Sequence, residues 1–344
     1  MSSLLPKDFT IIGENVHTTR VLLRKGRRVV TSKDGTVAVT FSDPDGGPRL
    51  LPIPDAIQQA QDYQEGRVKH VKVAVLAAMD SDEVVATCGY DYLRSLVHQQ
   101  EIAGCHYIDI NVDEISIKLD DQKKAMTWLV GAVQKMTALQ ISVDSSNIEV
   151  IDAGLAACDL TRRPILNSAS LERMEALEFA LNYKACVIVT AAGEKGMPTN
   201  VEDRMTNAVR MIEAALEKGI NLPDIYVDPL IFPIAVNKEF ALHSLETMRR
   251  LRDKFGPEIH ITGGFSNISF GIPYRSMIND VFLVMAIEAG ADCGIIDPVM
   301  NSPSRITSLD RNATAYRLAE DVLMGQDEYC EKFIRAWRKG EFHH

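Results

Sequence analysis

The stretch LQISVDSSNIEVIDAGLAACDLTRRPILN, residues 139–167, contains the alternation that decides the fold. Two short apolar runs, LQISVD (139–144) and PILN (164–167), flank a segment that we interpret as a helix. Each run is bounded by polar or turn residues, as expected of a strand that is buried in a parallel sheet. This part of the chain therefore predicts a strand, a helix and a second strand.

The same alternation continues on both sides of this stretch. Further short apolar runs are FTIIGEN (9–15), YIDIN (107–111), ACVIVTA (185–191), DIYVD (224–228), IHITG (259–263) and DCGIID (292–297). Eight strands that alternate with helices predict a (β/α)8 TIM barrel, formed as one domain over residues 1–344. A doubly wound open sheet is the alternative.

Two of the intervening segments show helical patterns. Asn200 is placed to cap one helix, Gly219 to end it, and the apolar stripe between them is Met205, Val209, Ile212 and Leu216. The second helix has a similar stripe of Leu245, Met248, Leu251 and Phe255. These stripes predict the faces that the helices turn to the core.

Residues 18–90 interrupt the alternation and are predicted to be an insertion after the first strand. RRVVTSKDGTVAVTF (27–41) has the pattern of a β-hairpin that turns at Asp34-Gly35. Two helical stretches are expected at about 55–66 and 68–79. Residues 309–340 are predicted to form C-terminal helices that pack outside the barrel.

Composition and charge exclude several classes of protein. The 344 residues are 46% hydrophobic and 24% charged, which excludes a mainly disordered chain. The net charge of −10 argues against a nucleic-acid partner. No apolar run approaches the roughly 20 residues that a membrane span needs. Scattered cysteines without a secretory leader predict a reduced, cytoplasmic protein.

Polar residues follow almost every predicted strand. Because a barrel places its chemistry at the C-terminal ends of its strands, these residues are expected on one face. Helix capping is the simpler explanation for one or two of them, but so many carboxylates and amides favour a polar ligand. The residues are Glu14, Asn15, Asp109, Asn111, Asp113, Asp144, Asn147, Asn167, Thr190, Asp228, Ser266, Asn267 and Asp297.

The chemistry of this set favours a nitrogen heterocycle. It contains no pair of a nucleophile and a base, and the histidine spacing of a metal centre is lacking, so no metal is predicted. An aspartate accepts two parallel hydrogen bonds from an aminopyrimidinone edge, and an asparagine both donates and accepts. A pterin fits this description better than a sugar phosphate, for which Gly263-Gly264 is only a partial match.

Five segments resemble the methyltetrahydrofolate:corrinoid methyltransferase family. The folate module of cobalamin-dependent methionine synthase is also similar, and dihydropteroate synthase shares the barrel but is less similar. The segments are DINVDE (109–114), SVDSSNIEVIDAGL (142–155), ILNSAS (165–170), IYVDPLIFP (225–233) and GGFSNISFGIPYR (263–275).

The resemblance implies roles for particular residues. Asp144, Asn167 and Asp228 match the family's pterin-binding positions, and Asn111 and Glu14 at neighbouring strand ends are further expected contacts. Two residues of the loop after strand 7 complete the set. Asn267 matches the catalytic amide beside the pterin N5 atom, and Arg275 matches a supporting arginine.

The implied activity is methyl transfer between N5 of tetrahydrofolate and the cobalt of a corrinoid, within one-carbon or demethylation metabolism. Residues 258–263 resemble a corrinoid-binding signature but are needed as strand 7. A separate corrinoid protein is therefore the expected partner. The resemblance also implies a homodimer.

Two further functions stay open at this point. One is a pterin condensation like that of dihydropteroate synthase. The other is folate binding without catalysis, because Asn15 stands where the family often has arginine and Phe270 where it often has a polar residue.

Residues 18–33 stand out from the acidic chain. This stretch has six basic residues and no acidic one: Arg20, Arg24, Lys25, Arg27, Arg28 and Lys33. Since the loop after strand 1 lies on the active face of a barrel, we expect this basic arm either to face solvent or to meet an anionic group.

Overall fold

A computed structural model describes residues 8–342 of the chain. Its strands are β1 (Thr10–His17), β2 (Val21–Leu23), β3 (Val29–Thr31), β4 (Val37–Ser42), β5 (Pro48–Pro52), β6 (Arg67–Lys69), β7 (Tyr107–Asn111), β8 (Gln140–Asp144), β9 (Ile165–Ala169), β10 (Cys186–Thr190), β11 (Ile225–Asp228), β12 (His260–Ile261) and β13 (Cys293–Ile296).

The α-helices of residues 8–342 lie between these strands and after them. They are α1 (Asp55–Gln58), α2 (Gln61–Gln64), α3 (His70–Ala78), α4 (Glu83–Ile102), α5 (Leu119–Met136), α6 (Ile148–Ala157), α7 (Ala176–Asn182), α8 (Val201–Glu217), α9 (Phe240–Phe255), α10 (Arg275–Glu288), α11 (Pro303–Thr307), α12 (Thr314–Leu323) and α13 (Glu331–Arg338). None of these helices has the length and apolar character needed to cross a bilayer.

The predicted (β/α)8 barrel is confirmed. Its strands follow the order β12-β11-β10-β9-β8-β7-β1-β13, so that sequence neighbours from β7 to β12 are also sheet neighbours. The chain near β12 also bonds to β13, where the Ile295 N–H donates to the Gly263 carbonyl at 3.0 Å. A doubly wound sheet would instead reverse its strand order part-way, which excludes the alternative.

The chain forms two compact units. The N-terminal unit consists of residues 13–164, and the C-terminal unit of residues 8–12 with 165–342. In the N-terminal unit every residue of β7 is buried, and in the C-terminal unit every residue of β10 is buried. Strands of this kind lie in the cores of parallel sheets that are covered on both faces.

The predicted hairpin is present in the N-terminal unit and has a third strand. β3 pairs antiparallel with β4, opposing Thr31 to Val37 across the turn that contains Gly35. β5, for which no strand was predicted, pairs with β4 and opposes Leu51 to Val39. Both of these side chains are fully buried, which explains why the third strand is added.

The prediction of a helix over 55–66 was wrong. Two single turns, α1 and α2, occupy this stretch, and only Tyr63 among their residues is buried. Without an apolar face to pack, a longer helix gains too little to offset its nucleation cost. β6 follows and pairs with β2, opposing Val68 to Leu22, and α3 then occupies most of the predicted stretch 68–79.

The helix predicted after Asn200 is present, but its buried face differs. The Asn200 side chain caps α8 by accepting from the Asp203 N–H at 2.8 Å. Arg204 is fully buried, whereas Met205 of the predicted stripe is only half-buried. Backbone carbonyls bind the Arg204 guanidinium, which allows a charged side chain to take this place.

Candidate functional site

Four polar residues of the N-terminal unit form a carboxylate cluster: His17, Asp109, Asn111 and Asp144. Alternate residues of a strand share a face, so Asp109 and Asn111 of β7 point the same way. The register sets Asn111 opposite Asp144 of β8. The Asn111 Nδ2 donates to the Asp144 Oδ2 at 2.9 Å, and the His17 Nε2 lies 2.9 Å from the Asp109 Oδ2.

The carboxylate cluster carries unusual charge states. Burial raises the pKa of Asp144 to about 7, and the charge of Asp109 adds to the rise, whereas His17 and the bond from Asn111 oppose it. Burial lowers the pKa of His17, but its bond to Asp109 and the nearby negative charges outweigh this and raise the pKa overall. Within the cluster, the pKa of Asp144 is thus shifted toward neutral pH.

No metal was predicted for this site. Ligand-type atoms of His17, Asp109 and Asp144 do lie within 4.8 Å of one another. Within this group, the His17 Nε2 and the Asp109 Oδ2 are at hydrogen-bond distance.

Glu14 is held by an arginine from the basic arm. The Arg20 Nη1 lies 3.1 Å from the Glu14 Oε1, and the Glu14 side chain is only 14% exposed. Next to it, the Asn15 backbone N–H donates to the Gln100 Oε1 at 3.1 Å. β1 therefore presents the Glu14 carboxylate already paired with a cation.

Two of the polar residues listed from the sequence have structural roles in this unit. The Asn147 side chain caps α6 by accepting from the Glu149 N–H at 2.9 Å. Asp113 accepts from the Ser146 N–H at 2.9 Å and from the Ser145 hydroxyl. Helix capping and loop bracing account for these two residues.

Asp228 is the corresponding carboxylate of the C-terminal unit. It ends β11, and its Oδ1 accepts from the Leu230 N–H at 2.7 Å. Burial raises the pKa of Asp228 to about 6, although backbone N–H groups of Leu230 and Gly264 and the charge of Arg204 oppose the rise. A Cβ at Gly263 would stand 3.1 Å from the Asp228 Oδ1, so a side chain there would crowd this carboxylate.

Asn167 and Thr190 lie on the two strands that precede β11. β9 runs through Asn167 to Ala169, so the strand extends two residues beyond its predicted end. Asn167 is half-buried and opposes Ile188, and the buried Thr190 opposes Asp228. Asp297, just after β13, accepts from the N–H groups of Val299 and Met300 at 3.1 Å and so shapes a turn.

Asn267 lies exposed in a 3-10 helix, Phe265–Ser269, that follows β12. A Cβ on Gly264 would stand 2.9 Å from the Asn267 Nδ2, so the amide lies directly over the glycine backbone. Arg275 braces this segment, because its Nε donates to the Ser269 Oγ at 3.0 Å and its Nη2 to the Ser266 carbonyl at 2.7 Å. Phe270, 64% exposed, lies beside the same guanidinium.

His260 has a structural setting within β12. It stacks on Tyr226 with ring centroids 4.4 Å apart, and its Nδ1 lies 2.9 Å from the Asp292 Oδ2. These contacts fit the assignment of residues 258–263 to a strand. They give His260 a structural role that does not require it to be a cobalt ligand.

The chain matches the family model for pterin binding enzymes over residues 81–297. It belongs to the pterin binding enzyme family. The match spans the barrel from α4 to the end of β13 and covers well over half of the chain. The predicted resemblance is confirmed at this level.

Two curated relatives refine the comparison. A methylcorrinoid:tetrahydrofolate methyltransferase from Eubacterium limosum is 27% identical over 259 residues, which cover 73% of this chain and 88% of that protein. A methionine synthase from Mycobacterium leprae (strain TN) is 29% identical over 222 residues. That match covers 60% of this chain but only 18% of the methionine synthase, so it concerns one part of a much longer protein.

Solved structures support the fold. The dihydropteroate synthase of Xanthomonas albilineans in complex with 7,8-dihydropteroate superposes with a TM-score of 0.53 at 18% identity, over 64% of this chain and 83% of that chain. At this identity the likeness shows the shared barrel alone.

Two residues at the site were missed from the sequence. His17 ends β1 two residues beyond Asn15, where period-two alternation continues the strand and offers a weak signal. Arg204 gave no signal, because a charged residue in an amphipathic helix is normally assigned to the solvent face.

Proposed function

We propose that this pterin binding enzyme transfers a methyl group between N5 of tetrahydrofolate and the cobalt of a corrinoid carried by a separate protein. The observation that carries the proposal is the match to a methylcorrinoid:tetrahydrofolate methyltransferase along most of both chains. The dihydropteroate synthases share only the fold with this chain, so pterin condensation is not favoured.

We assign folate recognition to five polar residues. Asp144, Asn167 and Asp228 bind the pterin ring, with Asn111 and Glu14 as further contacts. The support is chemical, because buried carboxylates that accept N–H bonds select an aminopyrimidinone edge over rings without such donors. Their raised pKa values fit groups that were buried to meet a ligand.

Asn267 is the proposed catalytic residue. Methyl departure from an unprotonated tertiary amine would leave an anionic nitrogen, so N5 must take up a proton from solvent, or be strongly hydrogen-bonded, as the C–N bond breaks. In the reverse direction the unprotonated N5 attacks the methyl group on cobalt. A carboxamide both donates and accepts, and so serves each direction.

The site also fits a macromolecular methyl donor or acceptor. Asn267 is exposed beside Phe270, so a large partner can approach the N5 region, and Arg275 holds the segment in place. Much of the rate enhancement then comes from aligning N5, methyl and cobalt. We place the reaction in one-carbon or demethylation metabolism, in a homodimer located in the cytoplasm, where the six free thiols are kept reduced.

Anaerobic methyl transfer from methylcobalamin to tetrahydrofolate tests the proposal. Formation of 5-methyltetrahydrofolate, with loss of the methylcobalamin spectrum, is the expected result. In the control reaction p-aminobenzoate and a dihydropterin diphosphate should give no pteroate. Tight folate binding without transfer to or from any corrinoid would instead support a non-catalytic folate-binding protein.

A further inference from the structure

His17 contacts Asp109, close to the predicted pterin-binding residue Asp144, and has no part in the proposed reaction so far. Its Nε2 lies 2.9 Å from the Asp109 Oδ2, and the two side chains are 14% and 1% exposed. An oxygen of Asp144 also lies within 4.8 Å of this pair. A titratable ring thus lies close to one buried and one half-buried carboxylate.

The surrounding charges leave a particular role for this ring. Glu14 is paired with Arg20, Asp113 accepts hydrogen bonds from the following loop, and Asn111 is a neutral donor to Asp144. Two nearby buried carboxylates cannot both ionise easily without a compensating cation. The imidazolium form of His17 supplies such a cation at hydrogen-bond distance from Asp109.

We propose that His17 is a positioning residue that keeps a proton beside Asp109 and so allows Asp144 to meet the pterin as a carboxylate. This inference rests on the proposed function, because it assumes that Asp144 binds folate. His17 acts through Asp109 and Asp144.

The proposal predicts the direction in which folate affinity changes with pH. The pKa of Asp144 is about 7, so wild-type folate affinity should fall as the pH drops through 7 and this carboxylate takes up a proton. Loss of the imidazolium removes a favourable charge and raises the Asp144 pKa further. Without His17, folate affinity should therefore begin to fall at a higher pH.

Calorimetric titration with 5-methyltetrahydrofolate from pH 6 to 9 tests this expectation. His17→Gln should move the pH midpoint of binding upward by roughly 1 pH unit, with affinity at pH 7 about fivefold below wild type and a difference that narrows toward pH 9. Adding Asp109→Asn to His17→Gln should restore the midpoint, because it removes the carboxylate that the imidazolium offsets. His98→Gln, the same change at a half-buried histidine of α4, is the matched control and should behave as wild type.

A second measurement needs no folate. The His17 ring, assigned in NMR spectra by its loss in His17→Gln, should titrate above 6.5 in the wild type and at lower pH in Asp109→Asn. This variant keeps the imidazole and provides the test if His17→Gln fails to fold.

The outcomes separate the two proposals. If wild type binds no folate at any pH, the proposed function fails, and the NMR titration still tests the proton on His17. If wild type binds folate but His17→Gln follows the same pH curve, or loses affinity equally at every pH, the inference is wrong. An unchanged His17 titration in Asp109→Asn would also overturn it.

Discussion

Replacing Asp228 with asparagine should weaken folate binding while leaving the ligand-free protein at least as stable as wild type. The carboxylate ends β11, where its Oδ1 accepts the Leu230 N–H at 2.7 Å. Asparagine keeps an oxygen for this bond but loses the charge, and it presents an NH2 group where a pterin donor needs an acceptor. Charged acceptors of this kind contribute about 2–4 kcal/mol to ligand affinity.

The stability effect follows from the raised pKa of Asp228. In an acid whose pKa rises from 3.8 to about 6 on folding, the folded state binds the proton more tightly, so stability is lost as the pH rises from about 4 to 6. This rise corresponds to at most about 3 kcal/mol above pH 6. The neutral asparagine does not carry that cost.

Urea unfolding between pH 4 and 8 measures this difference. Asp228→Asn and wild type should nearly coincide at pH 4, and the variant should become the more stable protein by pH 7. Asp228→Ala is the comparison variant, because it also lacks the charge but leaves the Leu230 N–H without this acceptor. It should be less stable than Asp228→Asn by about 1–3 kcal/mol. An Asp228→Asn variant that binds folate normally, or that loses stability at pH 7, would refute the reasoning.

Three further expectations concern the loop after strand 7 and the basic arm. Asn267→Ala should lower the methyl-transfer rate about 10- to 100-fold, more than it weakens folate binding, because its contact strengthens as charge changes at N5; equal losses in kinetics and calorimetry would indicate simple binding. Arg275→Ala should lower kcat several-fold with folate affinity nearly unchanged, since it frees the Asn267 segment; Arg275→Lys, which keeps the charge but not the paired bonds, should recover only part of the rate in the same assay. The exposed residues of the basic arm are Lys25, Arg27 and Lys33. Changing all three to glutamine should raise KM for the corrinoid partner, or weaken the binding of folate polyglutamate, only at low salt. Unchanged values at low salt would show that the arm has only a structural role.

The structure narrows which residues of the basic arm can meet a ligand. Arg20 pairs with Glu14, the Arg24 Nη1 donates to the Tyr63 carbonyl at 3.1 Å, and the Arg28 Nη2 donates to the Tyr92 hydroxyl at 2.7 Å. The sequence showed six equivalent basic residues. These three have roles within the N-terminal unit, which is why the substitution test uses the other three.

Much of the candidate site was predictable because strand ends are marked locally. Asp144 and Asp228 each end a short apolar run. Such runs predict strands from the local sequence, whatever the neighbouring strands are. The same rule also selected Asn147, which caps a helix. Local sequence gives the position of a polar side chain along a strand, but the partner of that side chain lies on another element.

The sequence by itself determined the barrel, the order of its strands and the polar character of their ends, because repeated strand–helix alternation leaves few other topologies. Tertiary structure alone decided the charge states. His17 is a site residue because β1 places its ring next to Asp109 in the folded chain. Arg204 can be buried because backbone carbonyls accept hydrogen bonds from its guanidinium. The physical reason is that burial and hydrogen bonding shift the energy of a charge by several kcal/mol, and both depend on atoms far away in sequence.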